Sequence, residues 1–499
     1  MWGVILFWSL ATLVAVLIHY KWSHRKILAA TSNMSSPLAL PIIGHTYLLY
    51  KIRQNPNFFN GLKALIDVFS SPSCLHVGPL VHIIVYEPEQ LQTVLNSQHC
   101  ISKPIQYNFF HVNRGIFAAP VSLWRILRKS FSPCFGAGML PKFVPIFNEK
   151  SVEMVKLLEC YLGRGECDIS LDIGKCTLDT IYSTACGMNL NLQSSPDGEK
   201  HLIGQHRYVE TILRRVFNPI FYPNCIFRAF GDGKQFTEAH EQMRAVSYKV
   251  MVAKNSERPK PVISQDNDDI EGKKQQMFID KLYEMVREDK VVHREDIIEH
   301  LDTISFAGND TTSTTLVNCL LMLAMFPEVQ DRVYQEIMLS CPIDDVSIED
   351  VSKLVYTEMV CKETMRLFPV GPMLARTATA DFKLDDNNMI PAGATLVMVV
   401  YILHRNVQIW GPDANEFNPD HFLPEQVAKR HPYSYLPFSG GPRNCLGIRY
   451  AWISMKIMLV HILRKYRLHT TLTLDTLDID YSLILKIKNG CQVSLELRV

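Results

Sequence analysis

One helical repeat constrains this chain more than any other feature. Over residues 294–326 apolar side chains recur at helical spacing for roughly nine turns, until Pro327 withdraws the backbone donor that the next turn would need. A helix so long crosses a whole domain, and the rest of the chain has to be arranged around it. Residues 349–368 and 447–466 carry the same period, the first stopped by Pro369. Strand signals are short and late: 395–400, then a terminal hairpin of 483–488 and 492–497 around Asn489-Gly490. The expectation is a mainly α fold with a minor β-sheet. With 499 residues, no long linker and no internal repeat, one large domain is favoured over three of ordinary size.

The start of the chain is a different kind of segment. Residues 2–20 carry no charge and are interrupted only by Ser9, Thr12 and His19. As a helix they would span roughly 28 Å, close to the hydrocarbon core of a bilayer. No basic side chain precedes the run, whereas Lys21, Arg25 and Lys26 follow it, which favours a membrane anchor over a cleaved signal peptide and places the remainder in the cytosol. In that topology the Asn-x-Ser/Thr sequons at Asn33 and Asn309 stay unglycosylated. The expected organisation is an anchor over 1–20, a polar hinge over 21–36 and a folded catalytic domain over 37–499, entered through the extended Pro37 and Pro41. Residues 256–276 read as an exposed polar loop. Lys and Arg number 51 against 50 Asp and Glu, a balance that argues against a nucleic-acid partner. Thirteen cysteines with no CxxC pair argue against a disulfide scaffold or a zinc ribbon.

The most informative stretch is 438–447, Phe-Ser-Gly-Gly-Pro-Arg-Asn-Cys-Leu-Gly. Its glycines and proline forbid helix, and a helix is predicted just after Cys445. A cysteine at a helix start has its thiolate favoured by the dipole and by unpaired N–H groups. On the residues alone it could be a nucleophile, a metal ligand or a loop cysteine with no task.

The pattern Phe-x-x-Gly-x-Arg-x-Cys-x-Gly resembles the haem-binding signature of the cytochrome P450 monooxygenases, with Phe438, Gly441, Arg443, Cys445 and Gly447 at all five fixed positions. That resemblance implies the family's fold, with a long central helix over the haem and an N-terminal transmembrane helix. It implies haem b with Cys445 as axial thiolate and sole protein ligand to the metal, Arg443 paired with a propionate and Phe438 covering the sulfur side. Trp124 and Arg128 match a Trp-x-x-x-Arg whose ends meet a propionate, and Arg376 resembles another propionate partner. Glu363 and Arg366 match the Glu-x-x-Arg of the family's structural ion network. Its third member falls at His421, where arginine is usual, so that bond is expected to be pH-dependent.

Within the long helix lies Ala307-Gly308-Asn309-Asp310-Thr311-Thr312. Threonines there could simply bond back to carbonyls one turn earlier. The resemblance implies instead that Asp310 and Thr311 are catalytic, passing protons for O–O cleavage through water admitted by a loosened turn. Such a pair favours a monooxygenase over an oxygen-independent haem-thiolate isomerase or dehydratase, and over a non-catalytic haem- or lipid-binding membrane protein. The two stretches most resemble the insect branch of the fourth-family clan, but Ala307 stands where many of its fatty-acid hydroxylases carry the glutamate that esterifies haem, so no ester is expected. The resemblance further implies an endoplasmic reticulum membrane location and electrons from NADPH–cytochrome P450 reductase, with cytochrome b5 as an optional second donor. Arg125, Lys129, Arg449 and Lys456 are candidates for a basic docking face. Substrate would contact 105–119, 208–230, 302–311, 370–375 and the terminal turn near Leu485. Phe109, Phe110, Phe117 and Phe306 in those segments imply a lipophile such as a fatty acid, steroid, hormone, pheromone or xenobiotic.

Overall fold

Apolar residues three and four apart dominate the chain, and the computed structural model is accordingly mainly helical with small sheets. It describes residues 7–8, 11–12, 14–15, 18–19, 22–23, 25–40, 43–53, 58–78, 80–256, 276–288 and 291–498. The uncharged run 2–20 and the polar stretch 256–276 therefore lie for the most part outside the described residues. Among the described residues no single helix is long and apolar enough to cross a membrane.

The helices that position the site are α1 (Val121–Phe131), α2 (Leu140–Leu157), α3 (Ser170–Cys186), α4 (Pro196–Val216), α5 (Gly233–Ser256), α6 (Ile297–Met325), α7 (Val355–Leu367) and α8 (Ile448–Lys465). The central repeat is α6, 29 residues in one continuous helix. Helices α3, α5, α7 and α8 all pack on it. Between Ile297 and Ala324 every residue but Glu299, Phe306, Ala307, Gly308 and Thr311 is buried. Gly308 lets α3 come close, since a Cβ there would stand 2.8 Å from the Ile181 side chain.

A four-stranded sheet flanks the helices, with β1 (Ser73–Val77), β2 (Leu80–Val85), β3 (Leu374–Thr377) and β4 (Thr395–Met398) in the order β1-β2-β4-β3. The β2–β4 pair is parallel, registered His82 on Thr395, and the β4–β3 pair is antiparallel, registered Leu396 on Arg376. The C-terminal strands are β5 (Tyr466–His469), β6 (Ile479–Ser482), β7 (Ile484–Ile487) and β8 (Gln492–Leu497).

Two expectations are corrected here. Asn489-Gly490 does not join a hairpin. Instead β7 folds back on β6 around Leu483, whose φ of 71° is left-handed. Strand β8 pairs with β5 and with the short strand Cys167–Asp168. Gly490 turns tightly over Asp168, whose carboxylate would lie 2.2 Å from a Cβ, and delivers Cys491 N–H to Asp168 Oδ1 at 2.9 Å. The expected helix over 349–368 is likewise broken, into Ile348–Lys353 and α7. Glu336 causes the break by accepting the N–H groups of Tyr356 and Thr357 at 2.7 and 2.8 Å, so a new N-terminus is capped from outside.

Asn148 shows how α8, the helix after Cys445, is held. Its amide donates to the carbonyls of Val144 and Val346 at 3.1 and 3.0 Å, and accepts from Val346 N–H at 2.9 Å and His461 Nε2 at 2.7 Å. All of these groups are buried. Asn148→Leu should cost about 2–3 kcal/mol, because it strands both Val346 backbone groups and His461 without partners. The midpoint of urea unfolding should fall accordingly, and an unchanged midpoint would show that the amide is replaceable.

Candidate functional site

The segment carrying Cys445 is a tight loop, as its composition dictates. Ser439 (φ 63°) and Gly441 (φ 66°) both take left-handed backbone. At Gly441 space matters as well, since a Cβ would lie 1.9 Å from the Leu95 carbonyl oxygen. Cys445 N–H closes the loop onto the Phe438 carbonyl at 3.0 Å, and Asn444 N–H donates to the Gly441 carbonyl at 3.2 Å. Helix α8 then begins, and Gly447 N–H donates to Cys445 Sγ at 3.3 Å. Burial pushes the Cys445 thiol above its ordinary value, while the Gly447 N–H and the charge of Arg128 pull it down. Cys445 nevertheless has accessible surface, and a Cβ on Gly447 would touch nothing within 4 Å, so the loop borders open space.

Three cations gather beside this loop. Arg443 donates to the Ala119 carbonyl at 2.8 Å and its guanidinium lies 4.5 Å from the Trp124 ring, but its Nε and Nη1 are buried without partners. Arg376, on β3, is 2% exposed and donates to the Ala375 carbonyl at 2.9 Å. Lys103, which the sequence did not single out, sits with Nζ 4.3 Å over the Tyr107 ring. Among the described residues none of the three is ion-paired with a carboxylate. Burial and then the charge of Arg376 push Arg443 down to about 9, and burial with both arginines holds Lys103 well below the usual lysine range. A dehydrated cluster of like charges lacks an anion. A thiol bordering open space beside unpaired cations fits a haem, which has a metal for the sulfur and two carboxylates for the cations. Arg128, expected at a propionate, holds the Asn444 carbonyl at 2.8 Å and Asn444 Oδ1 at 2.6 Å with its fork, which braces the residue before Cys445.

The ion network forms as its spacing requires. Arg366 Nε and Nη2 donate to the two oxygens of Glu363 at 2.7 Å each, both side chains being fully buried. Its remaining N–H groups reach the carbonyls of His404 (2.8 Å), Ala414 (2.5 Å) and Glu416 (2.9 Å). Glu363 Oε1 also accepts from Asn418 N–H at 2.8 Å and lies 3.1 Å from His421 Nδ1. His404 in turn accepts Leu436 N–H at 2.9 Å, two residues before Phe438. Sequence reasoning missed Arg430, which bonds the His421 carbonyl and stands 4.0 Å over the Trp410 ring, while Arg366 lies 5.0 Å from the same ring. No local pattern announces it, because Arg430 acts through a backbone carbonyl.

On α6, Thr311 Oγ donates to the Ala307 carbonyl at 2.6 Å and the helix is unbroken through this turn, so the expected loosening is absent among the described residues. Asn309 is fully buried, its Oδ1 accepting from Thr177 at 2.7 Å. Phe306 joins an aromatic cluster with Phe109, Phe110, Phe117 and Tyr208. Lys103 lies 5.4 Å from the ring of Phe117, which links that cluster to the cations. The terminal turn reaches the cluster through Leu483, while Leu485, two residues on, is fully buried in the main core. Arg125, Lys129 and Arg449 are exposed, but Lys456 leaves the expected basic face: it is buried and paired with Glu358 at 2.7 Å.

The family model of cytochrome P450 matches residues 34–495. The chain is similar to probable cytochrome P450 313a4 of Drosophila melanogaster, 30% identical over 96% of this chain and 97% of the relative. It is 31% identical to cytochrome P450 4c21 of Blattella germanica over 94% of each. It is also 30% identical to human cytochrome P450 4V2, over 92% of this chain and 89% of the relative.

His421 makes the ion network pH-sensitive. Burial works to lower its pKa, but the hydrogen bond and charge of Glu363 prevail and raise it above the ordinary 6.5. Its stabilising contribution is then complete below about pH 6.5 and is lost as pH rises through the higher folded value. Thermal midpoints of the holoprotein between about pH 6 and pH 9 should fall with a component that His421→Arg abolishes. A variant with the same pH slope as the parent would remove His421 from this role.

Proposed function

The chain belongs to the cytochrome P450 family of haem-thiolate monooxygenases, whose haem b is held by a cysteine, and on that premise we propose a specific reading of this member. It is anchored in the endoplasmic reticulum membrane by residues 1–20, hinged over 21–36 and catalytic over 37–499. It takes electrons from an NADPH-dependent reductase and inserts one oxygen atom of O2 into a lipophile. The observation that carries the site assignment is Cys445, held by Gly447 N–H at the mouth of α8 and bordered by cations that lack an anion.

Bound haem b supplies dioxygen activation and the transfer of one oxygen atom to substrate. Cys445 would hold its metal; burial pushes the thiol up, and the Gly447 N–H and the charge of Arg128 oppose that shift. Arg443, Arg376 and Lys103 would bind its carboxylates, with the Trp124 ring 4.5 Å from the Arg443 guanidinium helping to place it. Phe438 closes the loop through its carbonyl. Glu363, Arg366 and His421 are structural: they fix the segment that leads into the loop. Asp310 takes a proton from water and Thr311 Oγ passes it on, for which the Thr311 hydroxyl has to leave the Ala307 carbonyl. Ala307 offers only a methyl group, so the haem is held without an ester.

The aromatic cluster around Phe110, Phe117 and Phe306 supports a lipophilic substrate. Ile220 and Phe230, 69% and 81% exposed, support contact with a membrane surface. Exposed Arg125, Lys129 and Arg449 support docking of an acidic electron donor.

Consumption of NADPH with purified reductase across a panel of fatty acids, steroids and xenobiotics tests the reading. A product containing one atom from O2 is expected, and no product with any lipophile would overturn the substrate class. Reduced protein with CO should show the red-shifted Soret band of a thiolate ligand. Cys445→Ser should abolish it, and its survival would mean another cysteine holds the metal. Thr311→Ala should keep haem and substrate binding while about tenfold more NADPH ends as hydrogen peroxide. Unchanged coupling would exclude Thr311 from proton transfer.

A further inference from the structure

Asp310 has a partner that the sequence did not announce. Its Oδ1 accepts a hydrogen bond from Lys486 Nζ at 2.8 Å, 176 residues further along the chain. The carboxylate side chain is 8% exposed and the ammonium side chain 30%, so the pair spans from the interior toward solvent. A carboxylate so enclosed needs a counter-charge, and Lys486 provides it on a flexible stem.

The strand that carries Lys486 belongs to a small hairpin. Strand β7 pairs with β6 alone, as a two-stranded ribbon outside the larger sheets. Its turn residue, Leu483, holds a φ of 71°, which strains a residue with a branched side chain. Leu483 packs against the aromatic cluster of Phe110, Phe117 and Phe306. A single small hairpin thus touches both the apolar cluster and the acid of α6.

We propose that Lys486 is a positioning residue for Asp310, and that the β6–β7 hairpin transmits contact at Leu483 to that pair. Lys486 keeps its own protons. It fixes where the carboxylate points and couples the acid's readiness to occupancy of the apolar cluster, while the transferred proton comes from water. This inference rests on the assignment of Asp310 and Thr311 as proton carriers.

The test uses full-length holoenzyme with reductase, NADPH and dodecanoic acid as the probe lipophile, with hydrogen exchange of residues 479–487 read in the resting enzyme. Lys486→Met should accelerate exchange in the hairpin and raise hydrogen peroxide per NADPH about fivefold, the scale of a partly buried ion pair. Lys486→Arg, which keeps the charge, should restore both. Lys486→Gln replaces the methionine variant if the latter loses the CO spectrum. Parental exchange and peroxide yield in the charge-free variant overturn the proposal. If Asp310→Asn and Thr311→Ala raise peroxide while Lys486→Met does not, Lys486 alone is misassigned. If all three leave it unchanged, the proton-carrier assignment has failed. At a dodecanoic acid concentration that saturates its spectral shift, hairpin exchange should slow, and an unchanged rate overturns the link through Leu483.

Discussion

Arg366 is fully buried with five N–H groups to satisfy, and the surrounding chain is arranged so that all five are. Two go to Glu363, and three collect carbonyls from His404, Ala414 and Glu416, so a segment of irregular backbone is gathered around one guanidinium. Removing either partner would leave a charge stranded at zero exposure, which is among the most costly changes a protein interior can suffer. His404 relays the arrangement onward by accepting the Leu436 N–H, and the cysteine loop starts two residues later. The placement of the thiol is thus inherited from a buried ion pair on α7.

The contrast with Arg443 is instructive. One interior arginine has every donor used; the other has two buried nitrogens unused and two further cations as neighbours. Proteins do not leave such groups without a reason, because each carries a desolvation penalty with no compensating bond. The family's haem brings two carboxylates, and it would turn this repulsive cluster into a set of charge-assisted bonds. Cofactor binding and folding are then linked by charge as well as by the sulfur bond.

What could be read from the sequence was local. The glycines and proline before Cys445, the i,i+3 pair Glu363 and Arg366, and the length of α6 all act within a few residues, and each was legible. The features that escaped join distant positions. Lys486 meets Asp310 only because β7 turns back at Leu483, a leucine in a backbone region where glycine or asparagine would have given the signal. Conversely, Asn489-Gly490 carries the strongest hairpin signal in the chain, yet that turn serves to bring Cys491 onto Asp168. Glu336 breaks a helix from outside it, and Lys456 looks like a surface charge until Glu358 is placed beside it. Periodicity reports the faces of elements; it is silent about which element supplies the partner.

The burial of Asn309 decides what can be attached to it. Its side chain has no exposed surface and is engaged by Thr177 in the packing of α3 against α6. A glycan there would need volume that the packed helices already fill, so modification of this sequon and the docking of α3 on α6 exclude one another.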